Sequence, residues 1–366
     1  MSLLINASNL YVGGGVQVAV SVLEELTNSK RQFIAAVSPL VARQLSEAAL
    51  INCLIIDKTP SNIFNFKSRR TLDKIVAENN ISKVFTIFGP SYWNPKGVKH
   101  AVGFALPWLI YDTRRVFSKL TFAEKAKKIL LMWLQPYFFK KNADLIFVET
   151  DDAKDKIIER YHFPQSHVVT VSNTINAILQ NAKLYDNSVI SSLPVKEDGD
   201  VYLLTISHDY PHKNLNVIPM LLDRLPSNYK FVVTLRTPME NIPQQYQHRI
   251  INVGPIKVNQ CPALYHFCDA LFLPTLLECF SASYVEAMYF KKTIFTSDLS
   301  FAHTVCHDSA FYFDPYCVND ICDKIISGME NVKDRAIKQE KADQLFCQLP
   351  TARERALMYM HSIDKL

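Results

Sequence analysis

The sequence predicts an α/β fold of two doubly wound, Rossmann-like domains, and three observations carry that prediction. A chain of 366 residues exceeds one ordinary core and suits two domains. Hydrophobic residues make up 48% and charged residues 20%, the balance of a globular rather than a disordered chain. Short apolar runs alternate with helical patterns along nearly its whole length, which implies parallel sheets covered by helices on both faces.

In the first half the strand candidates are Leu3–Ala7, Phe33–Val37, Leu54–Ile56, Val84–Phe88, Ala101–Leu106, Leu145–Val148 and Val168–Val171. Amphipathic stretches at Val16–Leu26, Arg69–Glu78, Phe122–Phe139 and Asp151–Tyr161 separate them. Residues 181–200 break the rhythm with a polar run containing Pro194 and Gly199, read as a linker. The alternation restarts with strands at Val201–Ile206, Phe231–Leu235, Ile251–Val253, Ala270–Pro274, Thr293–Thr296 and Ala310–Phe313. The helices expected between and after them are Asn214–Leu225, Cys261–Cys268, Ser281–Phe290 and Asn319–Glu330, then a helical tail interrupted at Pro350. The domains are accordingly 1–180 and 201–345, with a C-terminal helix in 346–366 expected to pack back on the first domain. Two such domains facing one another would hold a ligand in the cleft between their carboxyl edges.

A net charge of +5 is mild. It suits phosphorylated substrates or an acidic membrane surface, and it is far below the excess expected of a nucleic-acid binder. The first fifteen residues lack a basic segment and turn polar by Asn6, so no signal peptide is read there and a cytoplasmic location is expected. Eight cysteines without a CxxC pair read as reduced thiols.

Three of the nine glycines, Gly13, Gly14 and Gly15, sit together between the first strand and a helix. A loop without Cβ atoms lets backbone N–H groups approach an anion, and the helix start adds positive potential. The pattern is neither GxGxxG nor a P-loop, and a tight strand–helix turn is an equally good reading.

The richest segment runs from Asp269 to Met288. An apolar strand ends at Pro274, a loop carries Glu278, and a helix begins near Ser281 and carries Glu286. Along a continuous helix, eight residues would separate the carboxylates by about 12 Å. Glu278 therefore belongs to the loop, with the free N–H groups of the helix start between the two acids. Against a functional reading of Glu286 stands Ser283-x-x-Glu286, which is a capping box.

From Asp269 to Pro315 the chain resembles the donor-binding core of the retaining glycosyltransferases of family 4, the group 1 glycosyltransferases. The resemblance rests on Glu278-x7-Glu286, Ala287-Met288, the strand to Thr296, Asp298 and Phe313-Asp314-Pro315, with Tyr210-Pro-His-Lys213-Asn214 upstream. It implies the GT-B fold, with Glu278 on the transferred sugar and Glu286 on the nucleotide ribose. The amides of Phe280, Ser281 and Ala282 would contact diphosphate and sugar, Lys213 the diphosphate, and Gly14 and Gly15 the phosphates from the other domain. The arginine common five or six residues before that lysine is replaced by Ser207 and His208. The second positive charge is then expected from His208 or from Arg236. No cofactor or metal is expected beyond the sugar nucleotide, and the acceptor would be a glycan or a lipid-linked hydroxyl of the O-antigen or capsule type.

Other features weigh less. Asp198-Gly-Asp200 is formally a DxD pair, the metal site of the other transferase fold, but Asp-Gly in a linker is an ordinary turn. His100, beside a buried strand, reads as structural. Between Asp112 and Asn142 eight Lys and Arg face two acids, with several aromatics. Such a segment suits an anionic membrane surface, or a core-packed helix with a solvated basic face. The rivals are a metal-dependent transferase of the other fold, a non-catalytic sugar-nucleotide binder and a two-domain solute-binding protein.

Overall fold

The computed structural model describes residues 2–62, 64–239 and 242–366. The chain forms two compact units. The first comprises Met1–Asp112, Thr121–Asn176 and Pro350–Leu366; the second comprises Thr113–Leu120 and Ala177–Leu349.

The first unit contains β1 (Leu3–Ala7), β2 (Ile34–Val37), β3 (Cys53–Ile55), β4 (Lys83–Thr86), β5 (Lys99–Gly103), β6 (Leu145–Val148) and β7 (Val168–Thr170). They form one sheet in the order β3-β2-β1-β4-β5-β6-β7, parallel at every pairing. The central strands β1, β4 and β6 are buried along their whole length, as expected of strands covered on both faces. Only β3, at the edge, is exposed over two of its residues.

The second unit contains β8 (Val201–Thr205), β9 (Tyr229–Val233), β10 (Ile250–Asn252), β11 (Ala270–Leu273), β12 (Thr293–Ser297) and β13 (Phe311–Phe313). Their order is β10-β9-β8-β11-β12-β13, again parallel throughout. In both sheets the order reverses beside the first strand, between β1 and β4 and between β8 and β11. A doubly wound sheet opens a crevice at that switch point, outside the carboxyl ends of the two strands. The topology thus designates the loops after β1 and β4 in one unit, and after β8 and β11 in the other.

Two segments differ from their expected form. The helix expected over Asn214–Leu225 is limited to Val217–Leu221. Asn214 adopts the left-handed conformation (φ 58°), which ends any helix on its N-terminal side. Beyond the helix, the buried Arg249 guanidinium donates to the carbonyls of Leu222, Leu225 and Pro226 at 2.6–3.1 Å. Those carbonyls are satisfied by a side chain, so the backbone need not continue as helix.

Residues 181–200, expected as a linker, lie within the second unit. The Asp186 N–H donates to the Asn259 carbonyl, Gln260 to the Ser188 hydroxyl, and Lys196 pairs with Asp269 at 2.7 Å. The C-terminal helix Ala352–Asp364 is part of the first unit. Its Ala356, Tyr359, Met360 and Ile363 join the core that holds Phe85 and Phe147. Lys83, itself buried, donates to the terminal carbonyls of Ile363 and Asp364, a cation at the helix C-terminus.

Candidate functional site

The second unit's switch point brings together residues far apart in sequence. After β8 the chain runs through Ser207 and His208 to a short 3-10 turn, Pro211–Lys213, closed by left-handed Asn214. After β11 it passes Thr275 and Glu278 and enters the helix Ala282–Tyr289. The two loops are tied at the His212 carbonyl, which accepts from the Leu276 N–H at 2.7 Å and the Thr275 hydroxyl at 3.2 Å. With the loops so joined, Lys213 and Glu278 form an ion pair. Their side chains are 18% and 12% exposed, so water screens them little.

A second tie holds Asn214. Its side-chain amide donates to the Pro315 carbonyl at 3.0 Å, and its Oδ1 accepts from Lys119. The Phe313-Asp314-Pro315 triplet is therefore part of the scaffold of the basic loop. Phe313 is buried and stacked on Phe272, and its carbonyl accepts from the Asp298 N–H at 2.7 Å. Asp298 also pairs with His303 at 2.6 Å.

Positive charge gathers around Lys213. Burial, with Lys213 and Arg236 nearby, holds the His208 imidazole below its ordinary pKa. At neutral pH His208 is thus uncharged, and Lys213 and Arg236 are the two cations that act on it. Lys119 is a further cation, next to Asn214, with burial lowering its pKa. Ser207 is occupied locally, its N–H donating to the Thr234 hydroxyl and its own hydroxyl to the His208 carbonyl.

The helix Ala282–Tyr289 presents its N-terminus to the same loop. Ser281 is the N-cap, makes no side-chain cap bond, and no acid stands in the first turn. Among the described residues, none accepts from the backbone N–H groups of Phe280, Ser281, Ala282 or Ser283. Unmet donors at a helix start are an anion site in waiting. Tyr284, fully buried, fixes the helix: its hydroxyl meets Thr296 Oγ1 at 2.7 Å, and Thr296 donates to the Leu273 carbonyl.

Glu286 does not close a capping box. The helix begins one residue before Ser283, so Glu286 lies a full turn inside it. Its carboxylate accepts from the Tyr265 hydroxyl at 2.9 Å, and burial pushes its pKa up to about 7. A carboxyl with one protein donor and spare lone pairs can accept a further hydroxyl.

The first unit's switch point is chemically different. Gly14 and Gly15 open the helix Gly14–Asn28, with Gly13 at φ 68° as N-cap and no acid in the first turn. A Cβ on Gly14 would meet nothing within 4 Å, whereas one on Gly15 would press on Leu10 and Phe88 at 3.3 Å. Gly14 thus leaves open room over a helix N-terminus, while Gly15 serves packing. Beside it lies a neutral network: Asn6 donates to Thr86, and Thr86 bonds His100 at 2.8 Å. Burial drives the His100 pKa down to about 4, so this imidazole is a neutral structural partner.

Asp198-Gly-Asp200 is a turn with Gly199 at φ 83°. Asp200 pairs with Lys230 at 2.6 Å and accepts from Tyr202. Among the described residues, no three His, Cys, Asp or Glu side chains stand together as a metal-binding group. Among the described residues no disulfide joins any of the eight cysteines, and five of them are buried.

Tyr265, Asn214 and Lys119 complete this site, although neither Tyr265 nor Lys119 carries a local signal in the sequence. Asn214 could have been noticed as a residue tolerant of left-handed backbone right after the lysine.

A doubly wound domain with a cation–carboxylate pair and an open helix N-terminus at its switch point has the features that suit an anionic ligand such as a phosphate. Residues 191–344 match the family described as Glycosyl transferases group 1, and the chain is a glycosyltransferase with the GT-B fold. It is similar over its full length to the Anabaena protein HepE, solved in complex with UDP-glucose, at 12% identity, with all of that chain covered and a TM-score of 0.74. A glycosyltransferase from Rickettsia africae aligns over all of this chain and 98% of its own, at 14% identity and a TM-score of 0.73. Sucrose-phosphate synthase from Thermosynechococcus elongatus does so over 100% and 98%, at 12% identity and a TM-score of 0.72. No curated protein matches the sequence.

Proposed function

We propose that the protein transfers a hexose-type sugar from a nucleoside diphosphate to a hydroxyl acceptor with retained anomeric configuration. The observation that supports this best is the Lys213–Glu278 pair beside the open N-terminus of the helix Ala282–Tyr289. In this reading the donor diphosphate takes over Lys213, aided by Arg236 and the amides of Phe280, Ser281 and Ala282. Glu278, released from its cation, accepts hydrogen bonds from sugar hydroxyls, and Glu286 accepts from the ribose. Gly14, in the first unit, leaves its own helix N-terminus open to an anion.

Charge grows on the diphosphate as the bond from the anomeric carbon to the phosphate oxygen breaks, and these fixed groups stabilise it. The acceptor oxygen attacks from the face the diphosphate is leaving, and its proton passes to the departing phosphate oxygen. No protein nucleophile and no metal are required. HepE was solved with UDP-glucose, which makes a UDP-sugar the first donor to test. The acceptor is a glycan or a lipid-linked hydroxyl of cell-surface polysaccharide assembly, met at the cytoplasmic side of a membrane that residues 112–142 contact.

A thermal-shift panel of UDP-, GDP- and ADP-sugars tests the donor half, because a ligand of the folded state raises its melting temperature with affinity and concentration. One nucleotide class is expected to stand out, and its sugar conjugate to release nucleoside diphosphate when an acceptor is added. A panel in which no nucleotide moves the transition sinks the reading.

A further inference from the structure

The helix Phe122–Asn142 carries apolar side chains on the face turned away from its own unit. Phe122, Ile129, Leu130, Trp133 and Tyr137 are 53–87% exposed. Their spacing of seven, one, three and four residues places them in one stripe along the helix. The buried residues Phe139 and Asn142 point the other way, where Phe139 packs against Phe104; Pro136, also buried, borders the stripe next to Ile129. The stripe is therefore not the core-facing seam of an amphipathic helix. It is a second apolar surface, long and uncovered, of a kind that soluble monomers rarely leave without a use.

Charge says what covers it. The helix holds five lysines and one acid. That acid, Glu124, is occupied in a capping box with Thr121. Lys127, Lys140 and Lys141 are exposed, and the last two flank the stripe at its C-terminal end. Lys128 lies over the Trp108 ring at 4.1 Å and faces inward. An apolar ridge with an aromatic in its middle and lysines at its borders is complementary to an anionic lipid surface, with rings at the headgroup level. The helix lies along such a surface rather than through it: no described helix is long and apolar enough to cross a membrane.

The adjoining residues are engaged elsewhere. Thr113–Leu120 belongs to the second unit, where Arg115 stacks on Tyr316 and Lys119 bonds Asn214. The basic segment thus divides into a donor-loop brace and a separate ridge.

We infer that Phe122, Ile129, Leu130, Trp133 and Tyr137, flanked by Lys127, Lys140 and Lys141, dock the protein on the surface of an anionic bilayer. The inference rests on the membrane contact proposed above and assigns it to this one helix face. It is independent of the donor chemistry.

The protein supplies its own reporter. Trp93 and Trp108 are 3% and 9% exposed, whereas Trp133 is 76% exposed, so lipid contact shifts the emission of Trp133 alone. The full chain is sedimented with vesicles of phosphatidylcholine, and of phosphatidylcholine mixed with phosphatidylglycerol. It is expected to pellet with the mixed vesicles, show a blue-shifted emission, and lose both at high salt. Trp133→Phe should abolish the shift. Ile129→Ser with Leu130→Ser should weaken partitioning about tenfold or more, and Lys140→Ala with Lys141→Ala by roughly the same factor. Both pairs should retain the wild-type melting temperature and the thermal shift with nucleotide, which reports on the other unit. Protein that stays in the supernatant with mixed vesicles overturns the inference. So does binding that survives the serine pair. A lipid-free dimer in light scattering that the serine pair dissolves also overturns it, since a second copy then covers the ridge. Loss of nucleotide binding with vesicle binding intact would count against the donor reading only.

Discussion

The two sheets share one strand order and differ in what stands where that order reverses. At the second unit's switch point the loops after β8 and β11 present an ion pair, Lys213 with Glu278, and an uncapped helix N-terminus. At the first unit's, the loop after β1 presents open Gly14 and the end of β4 a neutral Asn6–Thr86–His100 network. Topology supplies the same crevice twice, and the side chains give it two chemistries. One sets a charged pair beside free helix N–H groups; the other offers space and neutral polar groups. Fold alone would not have told them apart, which is why function is argued from the site.

The largest effects are expected where the charged edge is altered. Glu278→Gln keeps the shape and removes the charge that pairs with Lys213. Transfer should fall roughly 100- to 1,000-fold, as when one preorganised electrostatic contact to a transition state is lost. Circular dichroism and melting temperature should show the variant folded. Turnover near that of the wild type would remove Glu278 from the chemistry and leave it a partner for Lys213. Lys213→Ala should weaken nucleoside diphosphate binding about 10- to 100-fold, the range for a charge-assisted bond. Isothermal titration reads this directly; unchanged affinity would place the diphosphate elsewhere on the edge.

How far the sequence discloses this contrast depends on whether a feature is local. β1, β6 and the helix Asp151–Tyr161 match their sequence-predicted bounds, because apolar runs and cap residues are written in consecutive letters. Lys213 and Glu278 could be singled out by motif, but their meeting is tertiary, made by the switch point and by the His212 carbonyl. Glu286 was open to a capping-box reading because Ser281 and Ser283 are both plausible caps. Packing of Tyr284 against Thr296 starts the helix at the earlier one. Lys119 reaches Asn214 across 95 positions, a contact no periodicity encodes. The helix Phe122–Asn142 is apolar on more than one face, so its letters could not say which face is turned inward.

Glu286 gives the charged edge a pH dependence. Its folded pKa, about 7, lies above the ordinary 4.5, so between those values the folded state holds a proton that the unfolded state has released. Its stabilising contribution is therefore full below about pH 4.5 and declines as pH rises to about 7. Glu286→Gln should raise the melting temperature at pH 8 and leave it unchanged at pH 4. If the ionised carboxylate is the form that accepts the ribose hydroxyls, nucleotide affinity runs the other way. It should fall as pH drops below about 7, by at most roughly tenfold per unit, and the slope should vanish in Glu286→Gln. A wild-type affinity flat from pH 5.5 to 8 would leave the residue with a structural role through Tyr265.

The smallest effect tests the neutral edge. Nothing lies within 4 Å of a Cβ added to Gly14, and the residue begins a helix. Gly14→Ala should therefore be tolerated and should raise the melting temperature by about 1–2 °C, by restricting the unfolded chain. If the open space above the helix N-terminus is where the donor phosphates approach, the same methyl group obstructs them. A severalfold rise in donor KM should then accompany the gain in stability. Gly15→Ala separates space from packing, since its Cβ presses on Leu10 and Phe88 at 3.3 Å. It should cost stability without the selective effect on KM. Should Gly14→Ala gain stability with donor KM unchanged, the glycine loop is a strand–helix turn and the charged edge of the second unit binds the donor without it.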